Sequence, residues 1–220
     1  MSMSNPWRAR LLAASLALMA GAASADGLQA LQEFVKSTRS GRAEFTQTVT
    51  SPGKDGQAPK VKNSHGSFEF QRPERFRFVY KKPFEQTIVA DGETLWLYDV
   101  DLNQVTARKQ AQILGSTPAA LIASAPNLAA IEADFSLQNA PDRDGLQWLL
   151  ATPKAKDGQL RSVAVGFRVQ DKSHVLAALE ILDSFGQRSV LSFSKLQINP
   201  ALEPGLFKFT PPAGADLIRQ

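Results

Sequence analysis

From Gly66 to Lys109 the chain repeats one pattern about every ten residues, a run of strand-forming side chains followed by a turn signal. The runs are 66–71, 74–80, 85–90, 93–99 and 103–109, punctuated by Arg72-Pro73, Lys82-Pro83 and Asp91-Gly92. Asp-Gly between apolar runs is a strong hairpin signal. Connections this short leave no room for crossover helices, so the spacing predicts an antiparallel meander rather than βαβ units. Residues 42–51 add an earlier strand, with Phe45, Thr46, Thr48, Val49 and Thr50 before the turn cluster 51–56. Later runs at 135–138, 146–151, 160–169, 175–183 and 187–197 are joined at Asp144-Gly145, Asp157-Gly158 and Phe185-Gly186. The expectation is about eleven strands.

Two segments break the pattern. Leu28, Leu31, Phe34 and Val35 recur at helical spacing and predict one amphipathic helix over 28–37, started near Asp26. Ser116-Thr117-Pro118 offers a helix cap with proline in the first turn, followed by Ala119, Leu121, Ile122 and Ala123. Pro126 ends that segment, and 127–131 can add another turn. Each helix either packs its apolar face on the core or covers a cavity as a lid. A sheet of so many strands must curl to cover its faces. With few helices, a mainly β (α+β) fold follows: an incomplete, strongly curved antiparallel β-barrel.

Strand alternation assigns the faces. Phe76, Phe78 and Tyr80 share one side, while Arg75, Arg77 and Lys81 share the other. A single-strand nucleic-acid platform needs aromatics and cations on the same side, so RPERFRFVYKK instead fits an apolar interior and a solvated exterior. Leu95-Trp96-Leu97-Tyr98 is apolar on both faces, and either can line the interior.

The N-terminus reads as an export signal. Arg8 and Arg10 precede an apolar run from Leu11 to Ala23, too short to span a bilayer, and Ala23-Ser24-Ala25 forms an A-x-A site. Cleavage after Ala25 leaves one domain, 26–220, expected in the periplasm. That part keeps all 13 phenylalanines and carries 23 basic against 21 acidic residues, since the signal removes two arginines and no acids. Such a balance is no nucleic-acid signature. The chain has no cysteine, hence no disulfide, no thiol chemistry and no site for N-terminal acylation.

Catalytic and metal motifs fail on inspection. Asp99-Val100-Asp101-Leu102-Asn103 resembles the start of a calcium loop, but Gln104 stands where glycine is needed and Gln110 where glutamate is needed. The two histidines, His65 and His174, lie far apart with no partner at ligand spacing. There is no G-x-S-x-G elbow and no P-loop. No catalytic residue, metal or cofactor is expected.

One ordered set of segments remains: Ala43-Glu44-Phe45-Thr46-Gln47, Arg72-Pro73-Glu74-Arg75-Phe76-Arg77-Phe78, 88–99, Thr117-Pro118, Leu150-Ala151-Thr152-Pro153-Lys154 and Phe207-Lys208-Phe209-Thr210-Pro211-Pro212. Together with the N-terminal helix, this resembles the periplasmic outer-membrane lipoprotein carrier family over essentially the whole exported chain. The resemblance implies an incomplete barrel closed by a helical lid over a hydrophobic cavity. It implies cargo accepted as triacylated lipoprotein from an inner-membrane ABC transporter and passed to an outer-membrane receptor, by a monomer. The receptor is itself a lipoprotein; Ala-Ser-Ala-Asp at 23–26 lacks the cysteine this would need. The 51–62 loop, with Lys54, Lys60 and Lys62, is longer and more basic than the family pattern.

A buried methylene is worth about 0.8 kcal/mol, so three acyl chains carry on the order of 30 kcal/mol of aversion to water. Crossing an aqueous compartment requires an apolar cavity with adaptable contacts. Candidate lining residues are Phe45, Phe76, Phe78, Trp96 and Tyr98 from the sheet, with Leu28, Leu31, Phe34, Leu121 and Ile122 from the lid. Ordinary core packing is the alternative for each. By family position, Arg72 sits at the cavity mouth and bonds backbone carbonyls of the closed lid; otherwise it reads as a turn arginine before proline. Two other function classes stay open, a β-barrel carrier of another lipid or glycolipid and a non-catalytic structural domain.

Overall fold

The computed structural model describes residues 27–220 except 54–55, 113–117, 119, 157 and 172. The expected export signal, Lys54, Asp157 of one expected turn and the Ser116-Thr117 cap lie outside the described residues.

Two antiparallel meanders make one sheet. The first comprises β1 (Ser40–Ser51), β2 (Lys60–Gln71), β3 (Arg75–Lys82), β4 (Gln86–Asp91), β5 (Thr94–Asp99) and β6 (Gln104–Lys109). The second comprises β7 (Phe135–Arg143), β8 (Leu146–Pro153), β9 (Leu160–Gln170), β10 (Ser173–Asp183) and β11 (Arg188–Ile198). β1 pairs with both β2 and β11 and so joins them. A twelfth strand, β12 (Asp216–Arg219), lies parallel to β6. The sheet order is β12-β6-β5-β4-β3-β2-β1-β11-β10-β9-β8-β7, an open sheet with β12 and β7 at its edges.

Two features differ from the sequence reading. β12 was not expected, because four residues with one apolar pair, Leu217-Ile218, give no periodic signal; pairing with β6 makes them a strand. β2 begins at Lys60 rather than Gly66, since its polar start is held by the ladder to β1, from Thr46 opposite His65 to Ser51 opposite Lys60.

The inner face follows the alternation. Phe76 and Phe78 are buried, and the register sets Phe70 opposite Phe76 and Phe68 opposite Phe78. The Phe68 and Phe78 rings stack at 4.3 Å, and Phe193 of β11 joins Phe68 at 5.6 Å. Such pairs add about 0.5–1.5 kcal/mol each beyond their area. Gly66 lies at the bulge where β2 meets β3, and a Cβ there would fall 1.9 Å from the Val79 carbonyl oxygen.

Helical segments close this face. α1 (Gly27–Ser37) buries Ala30, Leu31, Phe34 and Val35. Its first residue must be small, because a Cβ at Gly27 would lie 2.2 Å from the Trp148 carbonyl oxygen of β8. Asn139 of β7 accepts the Leu28 N–H at 2.9 Å. At the other end Asn199 donates to the Ser37 carbonyl and accepts the N–H groups of Arg39 and Ser40. The middle insert forms one π-helical turn (Ala120–Ser124) and α2 (Leu128–Asp134), capped by the Asn127 side chain. Leu121, Ile122 and Ile131 belong to the same buried cluster as the inner phenylalanines.

Candidate functional site

The β2–β3 turn puts Arg72 between the two lid segments. Its Nε donates to the Thr38 carbonyl just after α1, and its Nη1 to the Ala125 carbonyl just after the π turn, both at 2.9 Å. The guanidinium lies 5.6 Å from the ring centres of both Phe34 and Phe70. Only 7% of the residue is exposed. Burial, then repulsion from Arg39, lowers its pKa to about 10, so it stays charged at neutral pH. Hydrogen bonds to a charged donor contribute about 1.5–3 kcal/mol each, offset in part by desolvating the cation. One nitrogen, Nη2, has no partner among the described residues.

On the inner face of the sheet, bordered by Pro118 of the middle insert, lies an apolar chamber of about 200 Å³. It draws Phe76 and Phe78 from β3, Ile88 from β4, Leu95 from β5, Leu179 from β10 and Leu191 from β11. Gln47 and Tyr80 also line a second cavity of about 430 Å³ with a mixed lining that includes Val49, Lys62, Ser64, Phe84 and Gln187. Burial raises the Tyr80 phenol to about 12, so it remains a neutral donor. The two cavities meet at this pair of side chains.

The expected site residues fall into three groups. Phe76 and Phe78 line the chamber. Phe45 is buried behind it, edge-on to Phe78 at 5.5 Å and to Tyr80 at 5.0 Å. Leu31, Phe34, Leu121 and Ile122 lie in the contiguous buried cluster of sheet and lid, while Leu28 is half-buried at its margin. Trp96 and Tyr98 are a correction: they are on the opposite face. Phe76 pairs with Ala90, and Ala90 with Leu95, so Leu95 points inward and Trp96 outward. Outside, Trp96 and Tyr98 pack against Phe209 of the C-terminal tail at 5.5 and 6.2 Å.

Trp96 is also fixed by Asp91, which accepts its indole N–H at 2.8 Å. Burial opposes ionisation of Asp91, but the Thr94 N–H, the indole and the Glu93 N–H outweigh it and hold the carboxyl below its usual range. This pair is a structural fixture of the hairpin.

Arg72 follows Gln71, which pairs with Ser40 at the start of β1, and from there it reaches the Thr38 and Ala125 carbonyls. The sequence reading missed Ile88, Leu95, Leu179 and Leu191 as lining residues. Carrying the alternation from Phe76 and Phe78 across the β3–β4 turn finds Ile88, and carrying it on through the Asp91-Gly92 hairpin finds Leu95.

Residues 36–210 match the family model described as outer membrane lipoprotein carrier protein LolA. An outer-membrane lipoprotein carrier protein of Albidiferax ferrireducens is 69% identical over 205 residues, covering 93% of this chain and 96% of its own. One from Leptothrix cholodnii is 58% identical over 200 residues, covering 91% and 89%. Among solved structures, a DUF1329 family protein from Desulfovibrio piger has a TM-score of 0.51 at 12% identity, covering 83% of this chain and 98% of that one, which speaks to the fold alone. The chain belongs to the outer membrane lipoprotein carrier protein LolA family.

Proposed function

We propose that this protein is a periplasmic chaperone that binds the acyl chains of lipoproteins and delivers them to the outer membrane. The observation that supports it most directly is an apolar chamber on the inner face of the sheet, beside a lid clasped by Arg72. At about 200 Å³ the chamber is small. An apolar cavity of about 150 Å³ takes one benzene, and drug-sized ligands need about 300–1,000 Å³. Three acyl chains therefore require the lid to move outward, exposing the Leu31, Phe34, Leu121 and Ile122 faces to cargo.

Opening breaks the bonds from Arg72 to Thr38 and Ala125, which opposes binding by the free energy of the closed state. Cargo is then held loosely enough to be released without a nucleotide. The wider reading is that cleavage after Ala25 frees a soluble monomer. It receives cargo from an inner-membrane ABC transporter and hands it to an outer-membrane receptor, acting without a catalytic step. Incubation with spheroplasts tests this: triacylated lipoprotein should appear in solution in complex with the protein. Lipoprotein that stays membrane-bound at saturating protein would contradict it.

A further inference from the structure

The second cavity, which adjoins the chamber, has a chemistry of its own. Five of its lining side chains are neutral amides or hydroxyls on the inner face, Gln47, Ser64, Tyr80, Gln86 and Gln187, beside the apolar Val49, Pro83 and Phe84. Its charged members are one cation and one anion, Lys62 and Asp99, so it has no excess charge to favour a phosphate. Two of its amides are oriented by neighbouring hydroxyls. Ser51 donates to Oε1 of Gln187 at 3.0 Å, and Ser64 to Oε1 of Gln47 at 3.4 Å. In each the carbonyl end is engaged, and the NH2 end has no partner among the described residues. The cavity is therefore furnished with unused N–H donors, set where the apolar chamber ends.

We infer that this cavity is a headgroup subsite, in which the amide donors of Gln47 and Gln187 bind the ester and amide carbonyls joining acyl chains to the modified cysteine. This deepens the carrier reading and rests on it. Hydrocarbon chains lie in the expanded chamber, and Gln47 and Tyr80 mark the junction. An acylated cysteine presents two glyceryl ester carbonyls and one N-acyl carbonyl at that depth, all acceptors. A donor-rich, charge-balanced annex matches them and gives no advantage to a bare fatty acid or a hydrocarbon.

The test compares two probes on the intact protein at neutral pH: a synthetic tripalmitoyl-glyceryl-cysteinyl peptide and a fluorescent hydrocarbon with no carbonyl. Gln187→Glu keeps the shape and the Ser51 contact but removes the NH2 group, and Gln187 does not line the chamber. Affinity for the peptide should fall about tenfold, and that for the hydrocarbon should stay within about twofold. Gln187→Ala, which adds no charge, should lose peptide affinity in the same selective way. Equal loss for both probes, or no loss for the peptide, would overturn the headgroup assignment. Failure of the unmodified protein to bind either probe would instead contradict the carrier reading.

Discussion

Oε2 of Glu33 on α1 lies 2.6 Å from Nδ1 of His174 at the start of β10. Its other oxygen accepts from Gln29 at 2.9 Å, one turn earlier on the same helix. His174 is buried, and its Nε2 has no partner, so Glu33 is its one polar contact among the described residues. The pair fastens the middle of α1 to the sheet, between the Asn139 contact at one end and the Arg72 clasp at the other.

That fastening is acid-sensitive. Bonds from Gln29 and then His174, aided by the charge of Lys36, hold the Glu33 carboxyl below its ordinary 4.5. A carboxylate depressed in the folded state stabilises above its unfolded pKa and loses that contribution as pH falls through the folded value. Binding of an apolar dye to the ligand-free protein should therefore rise as pH drops below about 4.5. Glu33→Gln should show raised binding already at neutral pH, with a weaker acid response. An identical pH profile for the variant and the unmodified protein would contradict this.

Opposite faces of the sheet should respond differently to truncation. Phe78→Ala removes a chamber wall, costing about 3–5 kcal/mol of stability while enlarging the space for dye. Trp96→Ala acts on the outer face, where it releases Asp91 and loosens Phe209. It should lower the melting temperature but leave dye affinity unchanged. Calorimetry with dye titration separates the two, and a loss of dye binding in Trp96→Ala would return that residue to the cavity.

Glu69 is a carboxylate in a costly position. It is buried on the outer side of β2, with one oxygen unpartnered among the described residues and Arg42 only 3.6 Å away. Burial raises its pKa despite the nearby Arg77, Arg42 and Lys81. A raised carboxyl pKa costs stability once pH exceeds the unfolded value. Glu69→Gln should raise the melting temperature at neutral pH by roughly 2 °C, with the gain fading in acid. An equal gain at every pH would rule out ionisation as its source.

The clasp predicts a transfer defect. Arg72→Leu removes both carbonyl bonds and shifts the population toward the open, liganded form by the same free energy. Cargo should be taken up but passed on poorly. Arg72→Lys should be intermediate, keeping charge but losing the planar fork that reaches two carbonyls at once. A two-step transfer assay, from inner membrane to carrier to receptor, reads this out. Onward transfer by Arg72→Leu at the unmodified rate would remove the gating role from Arg72.

Much of this arrangement is legible in the residues. Alternation from Phe76 to Tyr80 separates inside from outside, and Asp91-Gly92 marks a hairpin. The α1 stripe of Leu31, Phe34 and Val35 identifies its buried face. What local pattern could not supply was position along the barrel. Leu95-Trp96-Leu97-Tyr98 is apolar on both faces, because Phe209 covers the outer one. Its facing depends on register passed strand by strand. The contributions of Leu179 and Leu191 likewise arise only when β1 and β11 pair and bring the two meanders into one curve.

The central claim is that cargo forces the lid away from a chamber too small to hold it. Because the chain has no cysteine, spin labels can be placed through Ala129→Cys on α2 and Thr46→Cys on β1, both exposed positions. The distance between them, measured by pulsed electron resonance before and after adding tripalmitoyl-glyceryl-cysteinyl peptide, reports opening directly. The account predicts a shift to longer distances on binding, already partly present in ligand-free Arg72→Leu. Stoichiometric binding of the peptide with the distance unchanged would contradict it.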